Sequence, residues 1–415
     1  MEQIKHRLIG ALRWSEKYTK TDMVYLVGNS FWLTVGQGIS SLASLALIIA
    51  FANLLPKETY GTYKFVLSVA SVLSVLTLPR MNTAITQAVA RGYEGSLFVG
   101  TKKRVIWGTF GAIVSFFVSL YYFLQGNTEI AIALLLAAAF LPIFDTFGTW
   151  NAYLQGKQDF KSGVIYTTVV HIASVTILFL TILATDSLLA IVFIYFLSYT
   201  LLRAFFFYLT VKKYTPNTLI DPSTYSYGKH LTAMTVLSTI VGQLDKILLF
   251  HFLGAAQVAT YSIALVVPEQ VQGMLRNVGV VAFPKFASQS FEDIKRNLSF
   301  RLAQYGLFIT ILTILYVFLA PFLFSLLFPG YSDGILLSQI VSLSLITALV
   351  GPAVAALEAQ QKKQQLYMLR TLFPVIGIVL FLALVPTFGI LGATLAFTTL
   401  NFSKLILSLF FLYRT

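Results

Sequence analysis

The chain has 415 residues, of which 57% are hydrophobic and 11% are charged. Ordinary soluble domains carry about 25% charged residues, so this composition excludes a soluble globular protein and predicts an all-α polytopic membrane protein. The chain has no cysteine, which excludes disulfides, thiolate metal sites and cysteine nucleophiles. Its four histidines lack metal-ligand spacing, so neither a metal nor a cofactor is expected.

Residues 1–24 form a basic, amphipathic segment ahead of the first apolar run. Ile4, Leu8 and Leu12 fall on one helical face among basic side chains. No apolar stretch precedes a small-residue cleavage site, so the segment is not a cleaved signal peptide. We expect a cytosolic helix that lies at the membrane interface, with a flexible tail as the alternative.

Apolar runs of about 20 residues, each long enough to cross a bilayer, recur along the rest of the chain. They predict twelve transmembrane helices. The approximate limits are 29–55, 61–89, 105–124, 130–154, 164–184 and 188–211, followed by 231–253, 258–283, 302–328, 335–357, 366–385 and 390–413.

The basic residues are divided unequally between the two sets of connecting segments. Of the 29 Lys and Arg residues, 22 fall in the terminal segments and the connections on their side, whereas the opposite connections hold only Lys57 and Lys64. Cytosolic segments of membrane proteins are enriched in Lys and Arg, so both termini are predicted to be cytosolic. The net charge of +13 therefore reflects topology and does not indicate a nucleic-acid partner.

The connections on the external side are too short to hold a soluble catalytic domain. They span 125–129, 185–187, 254–257, 329–333 and 386–389. The longest connection is cytosolic, contains Pro216 and Pro222, and lies midway along the chain. We interpret residues 213–228 as a linker between an N-terminal six-helix half, 25–212, and a C-terminal half, 229–415.

A weak internal repeat supports this division. A shift of 198 residues places Leu55 on Leu253, Thr62 on Thr260 and Tyr63 on Tyr261 at the same span–turn–span boundary. A second echo links AYLQGKQDF from Ala152 with AALEAQQKK from Ala355. Six spans per half give the halves parallel orientations, as in transporters that alternate access between parallel repeats.

Two sequence motifs resemble those of a known family. LLPKETYGTY, from Leu54, resembles the turn after the first helix of polysaccharide exporters, and QLDKILLFHFLG, from Gln243, resembles their seventh helix. With twelve helices and compact loops, the whole chain resembles a Wzx-type flippase of the multidrug/oligosaccharidyl-lipid/polysaccharide (MOP) exporter superfamily. The turn lacks the usual glycine before Pro56, and Ala259 stands where the second turn often has glycine.

Eight ionisable residues fall well inside the predicted spans, where charges are costly and usually functional. Five are basic and three acidic, and this surplus of two positive charges favours an anionic substrate. Pro79 precedes Arg80 and Pro268 precedes Glu269, so both spans can kink where a cavity forms. The predicted substrate-binding residues are Arg80, Arg276, Lys246, Gln272, Lys404 and Arg203, and those for ion coupling or charge pairing are Asp145, Asp245 and Glu269.

Alternatives remain for several of these side chains. Asp145 either neutralises Arg80 or couples transport to a proton. Asp245 and Lys246 project about 100° apart on a helix, so we expect one to reach the cavity and the other to pair with a neighbouring helix. Glu269 and Gln272 are predicted to share a polar face with Arg276.

The resemblance implies a flippase that moves a lipid-linked oligosaccharide, a glycan on an isoprenoid diphosphate, from the cytosolic to the external leaflet. The implied partners are this substrate, membrane lipids and polysaccharide polymerase or assembly proteins, with proton or sodium coupling left open. A related multidrug/cation antiporter is the first alternative, although it predicts an acidic cavity. A membrane-embedded glycan polymerase or transferase is the second, and the short loops oppose it. An ATP-driven pump is disfavoured because GxxxxGK[ST] is absent.

Overall fold

The computed structural model describes residues 23–287 and 291–414, and describes side chains for residues 34–275 and 298–414. Every regular element in these ranges is helical, and ten of the helical segments are long and apolar enough to cross a membrane. This confirms the predicted all-α polytopic class. The predicted interfacial segment 1–24 lies almost wholly outside the described residues.

The helices alternate in direction between two ends of the molecule. We number the α-helices in chain order. They are α1 (Met23–Leu54), α2 (Lys57–Leu73), α3 (Met81–Ala90), α4 (Ser96–Leu124), α5 (Thr128–Phe144), α6 (Thr149–Gly156), α7 (Phe160–Ala184), α8 (Leu188–Tyr214), α9 (Thr224–Ala233), α10 (Val236–Leu253), α11 (Ala255–Ala287), α12 (Phe291–Leu327), α13 (Gly334–Ser342), α14 (Val350–Ala359) and α15 (Lys363–Arg414).

The two ends differ in the connections they carry. The short-loop end, as we call it, carries the turns after α1, α4, α7 and α10. The basic end carries the connections 91–95, 157–159 and 215–223. Helix α15 is interrupted at Gly389, whose φ of 58° is not helical. A Cβ on Gly392 would lie 1.9 Å from the Leu384 carbonyl oxygen, so the chain folds back tightly there.

Three of the predicted continuous spans are broken in the middle. The second is interrupted by a 3-10 turn, Ser74–Thr77, and by Leu78 in the left-handed region with a φ of 54°. The fourth breaks at the 3-10 turn Thr146–Gly148, and the tenth at Leu343–Leu349. Pro79 contributes to the first break because it has no backbone N–H and restricts the residue before it.

The two sequence echoes coincide with matched backbone geometry. With the shift of 198, the start of α2 at Lys57 falls on the start of α11 at Ala255. The Thr62 hydroxyl donates to the Glu58 carbonyl at 2.8 Å, and the hydroxyl of its counterpart Thr260 donates to Ala256 at 3.2 Å. Both helices thus begin with the same first-turn arrangement.

The second echo, at the basic end, matches more closely. Gln158 and Gln361, which the echo aligns, both have left-handed backbones, with φ of 60° and 53°. The Gln158 N–H donates to Gln155 at 3.0 Å, and the Gln361 N–H donates to Glu358 at 3.0 Å. A non-glycine residue in this region is uncommon, so its occurrence in both copies is a specific correspondence.

Buried apolar side chains form one shared core at the short-loop end. It combines Phe51, Tyr63 and Phe65 of the N-terminal helices with Ile263 and Phe324 of the C-terminal ones. Toward the basic end, the described residues form separate cores. One is confined to the N-terminal part of the chain through α9, and the other begins at α11. The halves are therefore joined at one end and separate at the other.

The predicted linker is docked on the N-terminal helices. The Glu94 carboxylate accepts hydrogen bonds from Lys157 and Tyr153, both at 2.8 Å, and from the Asn217 N–H at 3.3 Å. Burial raises the pKa of the Glu94 carboxyl, but these hydrogen bonds outweigh burial and hold that pKa below its usual range. The carboxylate therefore stays ionised and fastens the linker at neutral pH.

Helix α9 continues this attachment. The Trp107 indole N–H of α4 donates to the Tyr225 hydroxyl of α9 at 3.0 Å. A Cβ on Gly228 would lie 2.7 Å from the Met81 sulfur of α3. The seventh predicted span, 231–253, is thus divided between α9, which packs on the N-terminal helices, and α10.

Candidate substrate path between the halves

Helices α2, α10 and α11 meet beneath a closed short-loop end. A Cβ on Gly61 would lie 1.8 Å from the Ala255 carbonyl oxygen, a separation that only glycine permits. One turn further along α2, the rings of Phe65 and Phe250 are stacked, with centroids 3.9 Å apart and planes inclined by 16°. Such pairs are worth about 1 kcal/mol beyond the area they bury. These contacts seal the end of the path.

Asp245 and Lys246 lie just inside this closure on α10. The Asp245 carboxylate is buried and accepts hydrogen bonds from the Tyr261 hydroxyl of α11 at 3.1 Å and from the Lys246 ammonium at 3.2 Å. Asp245 is thus the member of the pair that faces the neighbouring helix. The Lys246 side chain keeps 19% of its surface exposed, so it reaches the space between the helices.

Charged side chains from both halves surround Lys246. Lys64 of α2 lies within electrostatic range of Lys246 and of Glu269 on α11. Glu269 is exposed. The sequence analysis counted Lys64 with the external connections, although its second predicted span begins at residue 61, and the structure places Lys64 in the second turn of α2, which begins at Lys57. The position is a correction to the predicted loop boundary.

A polar face runs from Lys246 toward the basic end. Ser238 and Gly242 are exposed, and with Lys246 they are spaced four residues apart, which places them on one face of α10. On α3, Arg80, Thr83 and Gln87 are all exposed, at spacings of three and four. Polar faces of this kind on membrane helices line water rather than lipid. The α3 face is one that the sequence analysis did not identify.

Asp145 pairs with Arg203 rather than Arg80. The Arg203 guanidinium donates to the Asp145 carboxylate at 2.7 Å and to the Phe144 carbonyl at 2.9 Å. The break after α5 frees this carbonyl, because no helical N–H follows in register. The guanidinium also lies 5.1 Å from the centroid of the Tyr199 ring. Arg203 is therefore engaged within the N-terminal half.

A hydrogen-bonded chain continues from this pair to α1. The Tyr199 hydroxyl is 3.0 Å from His171 Nδ1, and His171 Nε2 is 2.9 Å from the Ser44 hydroxyl. Helices α1, α7 and α8 are tied together by these contacts. His171 is accordingly a polar packing residue.

Three other predicted residues occupy different surroundings. The buried Gln272 amide donates to the Thr347 hydroxyl at 3.0 Å, so it does not share the exposed face of Glu269, and the predicted common stripe is wrong in this respect. The Lys404 ammonium lies 4.9 Å from the centroid of the Phe373 ring. Arg276 is part of α11, but its side chain lies outside the described residues.

Arg104 is a buried charge that sequence reasoning assigned to a cytosolic connection. It is 1% exposed, and its guanidinium donates to the Thr77 carbonyl at 3.1 Å and to the Asn82 side-chain oxygen at 2.9 Å. These bonds hold both sides of the break between α2 and α3. Its place eight residues into α4 could have been found by extending the third predicted span backward to Ser96.

Comparisons with known proteins agree with this architecture. A family model described as "Polysaccharide biosynthesis protein" matches residues 26–290. A Shigella flexneri protein described as "Putative O-antigen transporter" is 22% identical over 302 residues, which cover 66% of this chain and 70% of the relative.

Two solved structures share the fold over nearly the whole chain. "Lipid II flippase MurJ, inward closed conformation" has a TM-score of 0.71 and 13% identity, and the match covers 91% of this chain and 86% of that one. An inward-facing MATE family multidrug transporter of the MOP superfamily has a TM-score of 0.68 and 12% identity, with 93% and 97% covered. The relatives are named as transporters and flippases, in agreement with the expectation that the chain is not an enzyme. The chain belongs to the polysaccharide biosynthesis protein family, whose members its two motifs were predicted to resemble.

Proposed function

We propose that this protein is a flippase that moves a lipid-linked oligosaccharide from the cytosolic to the external leaflet during surface polysaccharide biosynthesis. The observation that carries the proposal is the asymmetry between the two ends. One core joins the halves at the short-loop end, and separate cores form toward the basic end. Polar faces on α3 and α10 carry Arg80 and Lys246. An amphiphile with an anionic head suits such a path.

The proposed topology has twelve transmembrane helices and both termini in the cytosol. Lys and Arg are concentrated in the connections at the basic end, and this enrichment supports its assignment to the cytosol. The structure then corresponds to a state that is closed toward the outside. A substrate made in the cytosolic leaflet would enter between the halves in this state.

The halves are proposed to be parallel repeats that alternate access by moving against one another. The matched first turns of α2 and α11 and the matched left-handed glutamines support the repeat. Since α9 packs on the N-terminal helices, we place the boundary between moving parts after Ala233 rather than at the predicted residue 228.

The proposed substrate is a glycan on an isoprenoid diphosphate such as undecaprenyl diphosphate, with O-antigen-type units as the glycan. The names of the Shigella flexneri relative and of MurJ support this class. Arg80, Arg276, Lys246 and Lys404 are the proposed cationic contacts to the diphosphate. Gln272 and Arg203 are weaker candidates, because both are held by other side chains in this state. Membrane lipids hold the isoprenoid tail, and polymerase or assembly proteins would receive the glycan outside.

Reconstitution of the purified protein tests the proposal. Vesicles would carry a fluorescent oligosaccharide on isoprenoid diphosphate in both leaflets, and a glycosidase added outside would report how much substrate reaches the outer leaflet. We expect complete digestion with the protein and about half without it. The Arg80→Ala variant should slow digestion by about tenfold, equivalent to about 1.4 kcal/mol. If digestion stays at half although the protein is folded, the flippase assignment is refuted. Uptake of a cationic dye by the same vesicles would favour the antiporter.

We expect Asp145→Asn to change the dependence of transport on the proton or sodium gradient. The substitution removes the charge that holds Arg203 at 2.7 Å, so the guanidinium is freed within the N-terminal half. Transport would be compared with and without each imposed gradient. Arg203→Met is the matched variant, and the double variant separates loss of the ion pair from loss of a titrating carboxyl. If transport by the wild-type protein is the same with and without each gradient, ion coupling is excluded.

A further inference from the structure

Two lysines from opposite halves lie at the same depth on neighbouring helices. Lys64 lies seven residues after the start of α2 at Lys57, and Lys246 lies seven residues before the end of α10 at Leu253. At 1.5 Å per residue, each is about 10 Å from the short-loop end. They are within electrostatic range of each other, close to the stacked Phe65 and Phe250 rings, which follow Lys64 on α2 and lie one turn beyond Lys246 on α10.

Two cations held close together inside a membrane protein repel each other, and both lose hydration. Two carboxylates offset part of this cost. Asp245 is already bonded to Lys246 and to the Tyr261 hydroxyl. Glu269 acts on both lysines, and as an exposed side chain it can move aside. The ring of Tyr60, 5.3 Å from the Lys64 ammonium, adds a cation–π contact. An anion held by the lysines would offset their repulsion further, at closer range than Glu269.

We propose that Lys64 and Lys246 form a diphosphate site that spans the two halves, the last station of the headgroup before the short-loop end opens. This inference rests on the proposed function and specifies where that substrate binds. Each half contributes one lysine, so the anion is chelated only while the halves are closed at this end. Separation of α2 from α10 divides the site and lowers its affinity, which releases the headgroup outward.

The Glu269 carboxylate acts electrostatically on both lysines, so it repels an anion that enters the site. Removal of this negative charge should therefore tighten anion binding, whereas removal of either lysine should weaken it. These opposite signs distinguish an anion site from an ionic lock, in which all three substitutions would only loosen the closed end.

The test is the binding of inorganic pyrophosphate to the purified full-length protein in lipid nanodiscs, measured by equilibrium dialysis. We expect Lys64→Met and Lys246→Met each to weaken binding by about tenfold or more, equivalent to about 1.4 kcal/mol. Glu269→Gln should strengthen it by a similar factor. Lys57→Met is the matched control, because Lys57 is on the same helix but lies 5.0 Å from the ring centroid of Tyr331, outside the closure. Lys64→Arg should retain binding. Retained binding would show that the position needs a positive charge and tolerates a larger cation.

The outcomes separate this site from the flippase assignment. Wild-type affinity in Lys64→Met, in a preparation that moves substrate in the vesicle assay, would overturn the two-lysine site and leave the proposed function intact. A second arm adds isoprenoid diphosphate to the nanodiscs. It should displace pyrophosphate from the wild-type protein, and failure to do so would overturn the assignment of the site to a lipid headgroup.

Discussion

Substitution of valine for Gly61 is expected to abolish transport while the protein stays in the membrane. The Cβ of any other residue would lie 1.8 Å from the Ala255 carbonyl oxygen, far inside van der Waals contact, so α2 and α11 must separate at their first turns. The stacked Phe65 and Phe250 rings would part with them. The variant should therefore be unable to close at the short-loop end.

A single introduced cysteine can report this opening, because the natural chain has none. Gly242 is suited to the purpose. It is exposed on α10, and a Cβ there meets no atom within 4 Å. A membrane-impermeant maleimide added outside should label Gly242→Cys weakly alone and at least about tenfold faster with Gly61→Val, an equilibrium shift of about 1.4 kcal/mol or more. Gly38→Val, where a Cβ also meets open space, is the control. Normal transport by Gly61→Val would contradict the tight closure.

Arg104→Met is expected to destabilise the protein severely. The substitution leaves the Thr77 carbonyl and the Asn82 amide without their guanidinium partner in a buried position. Each unsatisfied group costs about 1–3 kcal/mol, and together they loosen the break between α2 and α3. We expect strongly reduced abundance in the membrane and a lower melting temperature in detergent.

The matched control for Arg104 lies two residues away. Lys102 is exposed on the same helix, so Lys102→Met removes one positive charge without breaking a buried hydrogen bond. Its abundance and melting temperature should be close to those of the wild type. Equal losses in the two variants would indicate that the charge at the basic end, and not the support of the helix break, determines stability.

Apolar length was sufficient to predict the helical class and most of the spans. The free energy of inserting a segment into the membrane depends on the summed hydrophobicity of about 20 residues. That sum can be calculated from a single sequence. The breaks at Leu78 and after Asp145 were not predicted as breaks, because an apolar run reads the same whether its helix is continuous or interrupted. Pro79 and Pro142 mark positions where a helix can kink, but a proline alone does not predict a break, because Pro142 itself lies inside the helical segment α5.

The site was predicted less completely than the fold. Lys64 and Arg104 were counted with the connections, although Lys64 lies just inside the second predicted span and Arg104 one residue before the third. The ion-pair partners of the charged side chains could not be predicted from the sequence. Arg80 was the only cation proposed for Asp145, and the packing of α5 against α8 brings Arg203 to it instead. The Gln272 amide was assigned to the wrong face because its acceptors belong to a distant turn, Leu343–Leu349.

The docking of α9 has a mechanical consequence. Because α9 packs on the N-terminal helices and α10 belongs to the other half, the chain crosses between them at Met234 and Thr235. The 18 residues of α10 extend about 27 Å from that junction to the short-loop end. Helix α10 thus behaves as a lever with its pivot toward the basic end. A tilt of about 10° displaces its far tip by about 5 Å, which exceeds the 3.9 Å that separates the two stacked phenylalanine rings.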